Sequence, residues 1–260
     1  MLHFIKFLAR KLLSIGKIRN NFAFLRAFYF CKIKKKIKDF NEVSEYTWKN
    51  TLESNKRVVY NKNISLPKKP TNVSILDIGR SLSGGSLNLL FPAIKKKYNK
   101  SEFKNLKVLS IGPRAEGEIF NIFSFGFELK NITGVDLFSY SPLIKLGDMH
   151  NLEFIDENFD IVFMGWCLAY SNNPHKALSE VKRVLKKNGI LIIGYSVNRE
   201  ISDQDQINER GYLVRSPFNE INSMESLNEL GKILGFKMFY SKVINQTTGL
   251  GEKLIYGASK

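Results

Sequence analysis

The chain has 260 residues, 43% of them hydrophobic, which is enough for one domain with a full core plus an appendage. Its two cysteines, Cys31 and Cys167, exclude a disulfide framework and fit a reducing compartment. The net charge of +16 is uneven. Residues 1–38 hold eleven lysines and arginines and no acid, which leaves +5 elsewhere; between Lys104 and Ser196 ten acids balance ten bases, so the basicity belongs to the N-terminal segment and not to the centre of the chain.

Within residues 1–40, Ile5, Leu8, Leu12, Ile15, Phe22, Leu25 and Phe28 recur at helical spacing, which predicts a basic amphipathic helical extension. Bases interrupt every apolar run before the roughly 18 residues that a membrane span needs. No clean apolar region with a small-residue cleavage site marks a secretory signal. Three readings of this segment stay open: a helix lying on an anionic membrane surface, a cap that shows its lysines to water, and a nucleic-acid contact. The first implies a cytoplasmic protein held peripherally on the inner membrane face.

Residues 41–105 read as a helical and linker region capping the domain that follows. Glu42 to Arg57 is polar with scattered aromatics and is expected to be helical. Ser65 to Pro70 is a linker or turn. Ala93 to Asn105 is expected to be a polar, Lys-rich helix or loop.

From residue 106 to residue 260 the pattern changes to strands alternating with helices. Lys107 to Ile111 is a short β-branched run that breaks at Gly112-Pro113, as a buried strand does. Glu116 to Phe127 follows with helical period. Ile132 to Leu137 is a second strand carrying Asp136 at its end, and Phe159 to Met164 is another strong strand. Pro174 to Lys187 reads as a helix with Asn173 as its N-cap and Pro174 at its first position. Asn188-Gly189 stops it and leads into a buried strand ending at Gly194. Alternation of this kind implies an α/β fold, a Rossmann-like doubly wound, mostly parallel sheet with helices on both faces. Ligands of such sheets sit beyond the carboxyl ends of the strands, where strand order reverses. The turn from Gly112 to Gly117 and the acid Asp136 would meet there, and a strand-tip acid can accept both hydroxyls of a ribose. A dinucleotide loop needs a second glycine where Arg114 stands, and a P-loop needs a lysine where Glu118 stands. A ribose ligand without phosphates, such as S-adenosylmethionine, fits better.

These stretches resemble the class I S-adenosylmethionine-dependent methyltransferases, in particular the type 11 small-molecule group, over about Leu106 to Ser196. Val108-Leu-Ser-Ile-Gly-Pro113 resembles the glycine motif and Gly134-Val-Asp-Leu137 the ribose-binding acid. Gly147-Asp-Met-His-Asn-Leu152 resembles the adenine-contacting motif. Phe159-Asp-Ile-Val-Phe163 and Ala177 to Ile193 resemble the fourth strand and the E-x-x-R-V-L-K-x-G-G helix with its strand. The resemblance implies S-adenosylmethionine as cofactor, held by Gly112, Pro113, Arg114, Glu116, Gly117, Asp136, Leu137, Asp148, Met149 and Gly165, with no metal. Two features depart from the family pattern: Ser110 stands where an acid usually precedes the glycine, and the second glycine comes late, at Gly117. Arg114 is expected to pair with the cofactor carboxylate in compensation, and Glu116 or Glu118 to hold its amine. Ile75-Leu-Asp-Ile-Gly79 and the Gly84-Gly85 that follows imitate the glycine motif, acid included. Order rejects that frame, because the next strand, Lys107 to Ile111, ends without an acid.

The loop after Met164 would lie beside the transferred methyl group, and Trp166 would cover the pocket or pack in the core. Asn198 to Ser216 is an irregular insertion, a substrate-covering loop or a plain surface one. Ser223 to Leu234 is a helix with a serine cap. Phe236 to Ile244 and Lys253 to Ala258 are the last two strands, the final one antiparallel. A hydroxyl acceptor would benefit from a general base. Of His3, His150 and His175, His150 is nearest the expected ligand but lies by the adenine, so no catalytic residue is assigned; Tyr170 and Tyr195 face the pocket more plausibly. The expected function is methyl transfer to a small-molecule or glycan-linked acceptor. A sub-group sharing Ile-Gly-Pro-Arg-x-Glu-Gly-Glu, encoded among bacterial surface-sugar genes, suggests polysaccharide biosynthesis. An RNA methyltransferase and a non-catalytic membrane-associated scaffold with a degenerate pocket are the alternatives, and the neutral centre of the chain makes nucleic acid the weaker partner.

Overall fold

The computed structural model describes residues 2–36, 38–39, 85–113, 115–171, 173–197, 221–245 and 252–260. The expected helix at Glu42–Arg57, the linker at Ser65–Pro70, the glycine turn Ile75–Gly84, Arg114 and the insertion Asn198–Ser216 lie outside these residues. In chain order the elements begin with helices α1 (Leu2–Ser14) and α2 (Gly16–Phe28), a π-helical turn (Tyr29–Ile33) and the short strand β1 (Lys38–Asp39). Next come α3 (Gly85–Ile94), β2 (Val108–Ile111), α4 (Glu116–Ser124) and β3 (Ile132–Asp136). They are followed by β4 (Phe138–Ser139), β5 (Ile144–Leu146), β6 (Phe159–Gly165), α5 (Pro174–Val184) and β7 (Leu185–Val197). The chain closes with α6 (Met224–Ile233), β8 (Lys237–Asn245) and β9 (Glu252–Ser259).

Seven strands form one sheet in the order β5-β3-β2-β6-β7-β9-β8. β2 pairs in parallel with β3 on one side and β6 on the other, so strand order reverses at β2. That position makes Val108–Ile111 the strand at which the order reverses, where the frame beginning at Lys107 expects its glycine turn at Gly112. β9 runs antiparallel between β7 and β8, as expected for the last strand.

The central strands are apolar on both faces because helices cover both. In β6, Ile161 and Phe163 join the core with α3 and α4, whereas Val162 and Met164 face α5 and α6. β7 repeats the division, with Ile190 and Ile192 on the first side and Leu191 and Ile193 on the second. Helix α5 buries Ala177, Leu178, Val181 and Val184 against the second layer, and the Asn173 side chain accepts from the Lys176 amide at 2.9 Å to cap it. The helix ends at Val184, not Lys187, because Leu185 is already extended, fully buried and paired with Phe159. The expected turn survives as a kink within β7, with Asn188 in the left-handed region (φ +66°).

Two elements depart from expectation. Helix α3, ahead of the expected polar stretch, is the first: it ends at Ile94 and buries Leu90, Phe91, Ala93 and Ile94 under the sheet, with the Phe91 ring stacked on Phe125. Residues 95–105 are mostly exposed and Lys-rich, as expected. β5 forms the sheet edge from only three residues.

The N-terminal helices dock onto α4. Their inward face carries Leu13, Arg19, Ala23 and Ala27, all buried. Arg10 and Lys6 each bind Glu128 at 2.8 Å. Buried Arg19 donates to the Leu13 carbonyl at 3.3 Å and to Asn121 at 3.2 Å. β1 then pairs antiparallel with β4 directly after β3, so the extension ends beside the tip of β3.

Candidate functional site

The site lies where β2, β3 and β6 end. β2 is buried along its whole length, and the chain leaves it through Gly112, whose φ is +71°. A side chain there is excluded twice over, because a Cβ would stand 2.6 Å from the Cβ of Cys167 in addition to the backbone strain. The Gly112 amide donates to the Val135 carbonyl at 2.8 Å, and Pro113 packs over Gly134. The turn is therefore tied to β3, the strand that delivers Asp136, and Leu137 follows at the same edge.

Two carboxylates belong to this end of the sheet. Asp136 terminates β3. Glu118, in the first turn of α4, accepts from the hydroxyl of the fully buried Ser110. Burial, partly offset by the Ser110 hydrogen bond and reinforced by the charge of Asp136, pushes the Glu118 carboxyl up to about 8 from an ordinary value of 4.5. At position 110, where the resemblance expects an acid, Ser110 thus brings the carboxyl of Glu118 from the helix to the end of β2. Cys167 completes the wall against Gly112. Its thiol donates to the Ile111 carbonyl at 3.2 Å and is shifted well above its ordinary range by burial and by the charges of Glu118 and Asp136, which makes it an inert packing group.

Glu116 has a different place from the one expected. It is fully buried, with Arg26 of α2 forking onto it, Nε to Oε2 at 2.5 Å and Nη2 to Oε1 at 2.9 Å, and Ser141 also donating to Oε1. The Glu116 amide donates to the Tyr140 hydroxyl at 3.0 Å. With both oxygens and the amide committed, Glu116 anchors the N-terminal helices and is not placed to hold a ligand amine. Gly117 is buried inside the same helical turn. Of the two acids weighed for that task, the geometry leaves Glu118.

The turn after β5 carries Asp148 and Met149. The Asp148 Oδ1 accepts from the His150 amide at 3.0 Å and lies 2.7 Å from His150 Nδ1, while Nε2 of the same ring lies 2.7 Å from Ser171 Oγ. His150 therefore bridges this turn to the loop after β6, and with both ring nitrogens engaged it is a strut rather than a proton acceptor for a substrate. Leu152 and Phe154, just beyond, are held by the pair Glu180 and Arg183 of α5. Arg183 donates to both of their carbonyls at 2.7 Å and also binds Glu180. This explains the Glu180-Val-Lys-Arg183 spacing as a clamp on the loop that carries the turn.

Gly165 ends β6 opposite Gly194 of β7. Next to it Trp166 adopts φ +68°, a conformation rare for a bulky residue, held by hydrogen bonds from its amide to the Met164 and Gly194 carbonyls. Its ring lies against Gly194, where a Cβ would come within 3.0 Å, and its buried Nε1 has no hydrogen-bond partner among the described residues. Sequence reasoning found Gly112, Pro113, Asp136, Leu137, Asp148, Met149 and Gly165 at this edge. It missed Ser110, Cys167 and Ser171 as supporting groups. The one local signal was a serine at the end of β2 and an acid eight residues on, at the start of a helix that folds back over it.

Residues 116–193 match the model of a methyltransferase domain family. The match begins after the glycine turn, where the departures at Ser110 and Arg114 lie. An uncharacterized protein of Methanocaldococcus jannaschii is 34% identical over 93 residues, which is 34% of this chain and 42% of that protein. Sterol 4-C-methyltransferase strm-1 of Caenorhabditis elegans is 27% identical over 161 residues, covering 57% of this chain and 47% of that one. The chain spans less than half the length of these curated relatives. Among solved structures, an S-adenosylmethionine dependent methyltransferase from Mesorhizobium loti aligns with a TM-score of 0.50 at 12% identity, over 65% of this chain and 97% of that one, a likeness of fold.

Proposed function

We propose that this chain, whose residues 116–193 match a methyltransferase domain family, is a class I S-adenosylmethionine-dependent methyltransferase that transfers the methyl group of S-adenosylmethionine to a small-molecule or glycan-linked acceptor. The observation that carries the reading is the pair of carboxylates, Asp136 and Glu118, set beside the left-handed Gly112 where strand order reverses. When bound, the cofactor supplies a sulfonium-activated methyl group, so the protein's task is chiefly alignment and exclusion of water.

The residues fit such a ligand. Glu118 is an acid whose carboxylate burial disfavours, and the Asp136 charge adds to the cost. A ligand bearing an ammonium group would offset both terms, so Glu118 suits the amine end and Asp136 the ribose hydroxyls. Asp148 and Met149 take the adenine, with Asp148 oriented by His150 and Ser171. Gly112 gives the ligand a close approach to the backbone, Pro113, Leu137 and Gly165 form the walls around it, and Arg114 is assigned to the carboxylate end. The acceptor enters beside Gly165 and Trp166. The glycan-linked acceptor and a role in surface polysaccharide biosynthesis extend the resemblance of Ile111-Gly-Pro-Arg-x-Glu-Gly-Glu118 noted in the sequence, and are part of the same proposal.

Calorimetric titration with S-adenosylhomocysteine tests the site. The parent chain binds, and Asp136→Ala loses about 2 to 3 kcal/mol of binding, the scale for a charged hydrogen-bond acceptor. A parent chain that binds neither S-adenosylhomocysteine nor S-adenosylmethionine sinks the reading. Transfer of a labelled methyl group to a panel of sugar and sugar-lipid acceptors then tests the acceptor class.

A further inference from the structure

Most of the apolar stripe that marks residues 1–28 as amphipathic does not face the domain. α1 and α2 dock through arginines, alanines, Leu13 and the Phe22 ring, which packs on Phe120, and the other residues of the stripe are exposed. Phe4, Leu8 and Leu12 on α1 and Ile18, Leu25 and Phe28 on α2 are all exposed, Phe4 at 67% and Leu25 at 64%. Helical spacing puts each trio on the side opposite its helix's docked residues. The two helices are thus held to the domain by their charged and small face and present their apolar face outward. Scattered exposed hydrophobics are ordinary, but a row of large exposed apolar residues on each of two adjacent helices marks an interface.

The charge around that surface selects its partner. Residues 1–38 contain no acid, and the arginines and Lys6 are turned inward to Glu128, Asn121 and Glu116. Lys11, Lys17, Lys34, Lys35 and Lys36 are left exposed, with Lys11 over the exposed Phe7 ring and Lys34 over the exposed Tyr29 ring. Phenylalanines and leucines rimmed by lysines match the boundary of an anionic bilayer, where the rings enter the acyl region and the ammonium groups reach the headgroups. No helix among the described residues is long and apolar enough to cross a membrane. We propose that the α1–α2 pair is a docking surface for an anionic lipid bilayer, on which the chain lies peripherally. The surface is rigidly joined to the candidate site, because the Arg26–Glu116 fork fastens α2 to the first turn of α4, directly after the glycine turn. The proposal stands apart from the methyl-transfer reading, since it rests on α1 and α2 alone.

The test uses the full chain with vesicles of phosphatidylcholine and of phosphatidylcholine with phosphatidylglycerol. The chain co-sediments with the anionic vesicles and not with the neutral ones, and added salt weakens the association as screening shortens below ~8 Å. Leu8→Gln with Leu25→Gln weakens it by about tenfold or more, while the melting temperature and S-adenosylhomocysteine binding stay those of the parent. Lys11→Gln with Lys17→Gln weakens binding to anionic vesicles in the same direction. Failure of the parent to sediment overturns the proposal. So does a dimer in light scattering that the two leucine substitutions dissolve, which would assign the face to a second copy. Protection of Leu8 and Leu25 from hydroxyl-radical labelling in the monomer overturns it as well, because the chain would then cover its own face.

Discussion

Helices α5 and α2 are both amphipathic, and they use their two faces in opposite ways. α5 buries Ala177, Leu178, Val181 and Val184 against the sheet and turns His175 and Lys176 outward. α2 buries Arg19, Ala23 and Ala27 and turns Ile18, Leu25 and Phe28 outward. The two helices differ in what each meets. α5 covers the apolar face of a parallel sheet. α2 meets another helix, α4, whose outer side offers Glu116 and Asn121 as well as Phe120. Periodicity reveals that a helix has two faces, but the receiving surface decides which one is buried.

The sharpest way to break this comparison is to remove the ionic joint of α2. Arg26 is the cation on Glu116, which is itself fully buried. Arg26→Ala leaves an uncompensated buried carboxylate, at a cost of about 3 to 5 kcal/mol in urea unfolding. A loss near that of an exposed ion pair, about 0 to 1 kcal/mol, would mean that α2 does not depend on the fork. The matching experiment on α5 is Leu178→Ala. It deletes a buried side chain from the second core layer and should cost about 2 to 5 kcal/mol by the same measurement.

The legible part of the fold was the part stabilised locally or by sheet burial. Val108–Ile111, Phe159–Gly165 and the run through Gly194 are apolar on both faces and announce a parallel sheet. Asn173-Pro174 and Ser223 announce their helix starts, and Ser223 does form a reciprocal cap with Ser226. The missed elements carry weak local signals. β5 has three residues and one buried side chain, and α3 begins with glycine and serine and contains Pro92. In the site, the glycine turn and Asp136 follow from motif order. The division of labour between Glu116 and Glu118 does not, because it is decided by Arg26, ninety residues away in the sequence.

Glu118 sharpens the contrast between two acids two positions apart, one ion-paired and one held next to Ser110. Its folded carboxyl sits at about 8 against an ordinary 4.5, so between those values the folded chain retains a proton that the unfolded chain releases. Stability rises with pH only where the unfolded state binds more protons, and here it binds fewer. The contribution is therefore fully present below about pH 4.5 and is lost as pH rises towards 8. Glu118→Gln, which keeps an acceptor for Ser110, should flatten that part of the stability profile. A cationic ligand lowers the carboxyl's pKa, so its binding releases a proton in the same window. Heats of S-adenosylhomocysteine binding should then depend on the buffer's ionisation enthalpy for the parent and not for the glutamine variant. Equal buffer dependence in the two would assign the ligand amine to another group.

The smallest expected effect is the most direct test of how α2 is oriented. Leu25 is an apolar helix residue like Leu178, and periodicity alone would treat the two alike. In the structure Leu25 is 64% exposed and Leu178 is 1% exposed. Removing Leu25 takes little apolar surface out of contact with other atoms, and glutamine is a good helix former, so Leu25→Gln should change unfolding free energy by no more than about 0.5 kcal/mol. A cost of about 2 kcal/mol or more would show that something covers the outward face in solution. Repeating the measurement over a range of protein concentrations separates the two possible covers. A cost that grows with concentration points to a second copy, and a constant one to residues of the same chain. A near-zero cost at every concentration leaves the stripe open to water, and it keeps an apolar, lysine-rimmed surface available for a partner without drawing on it for the fold.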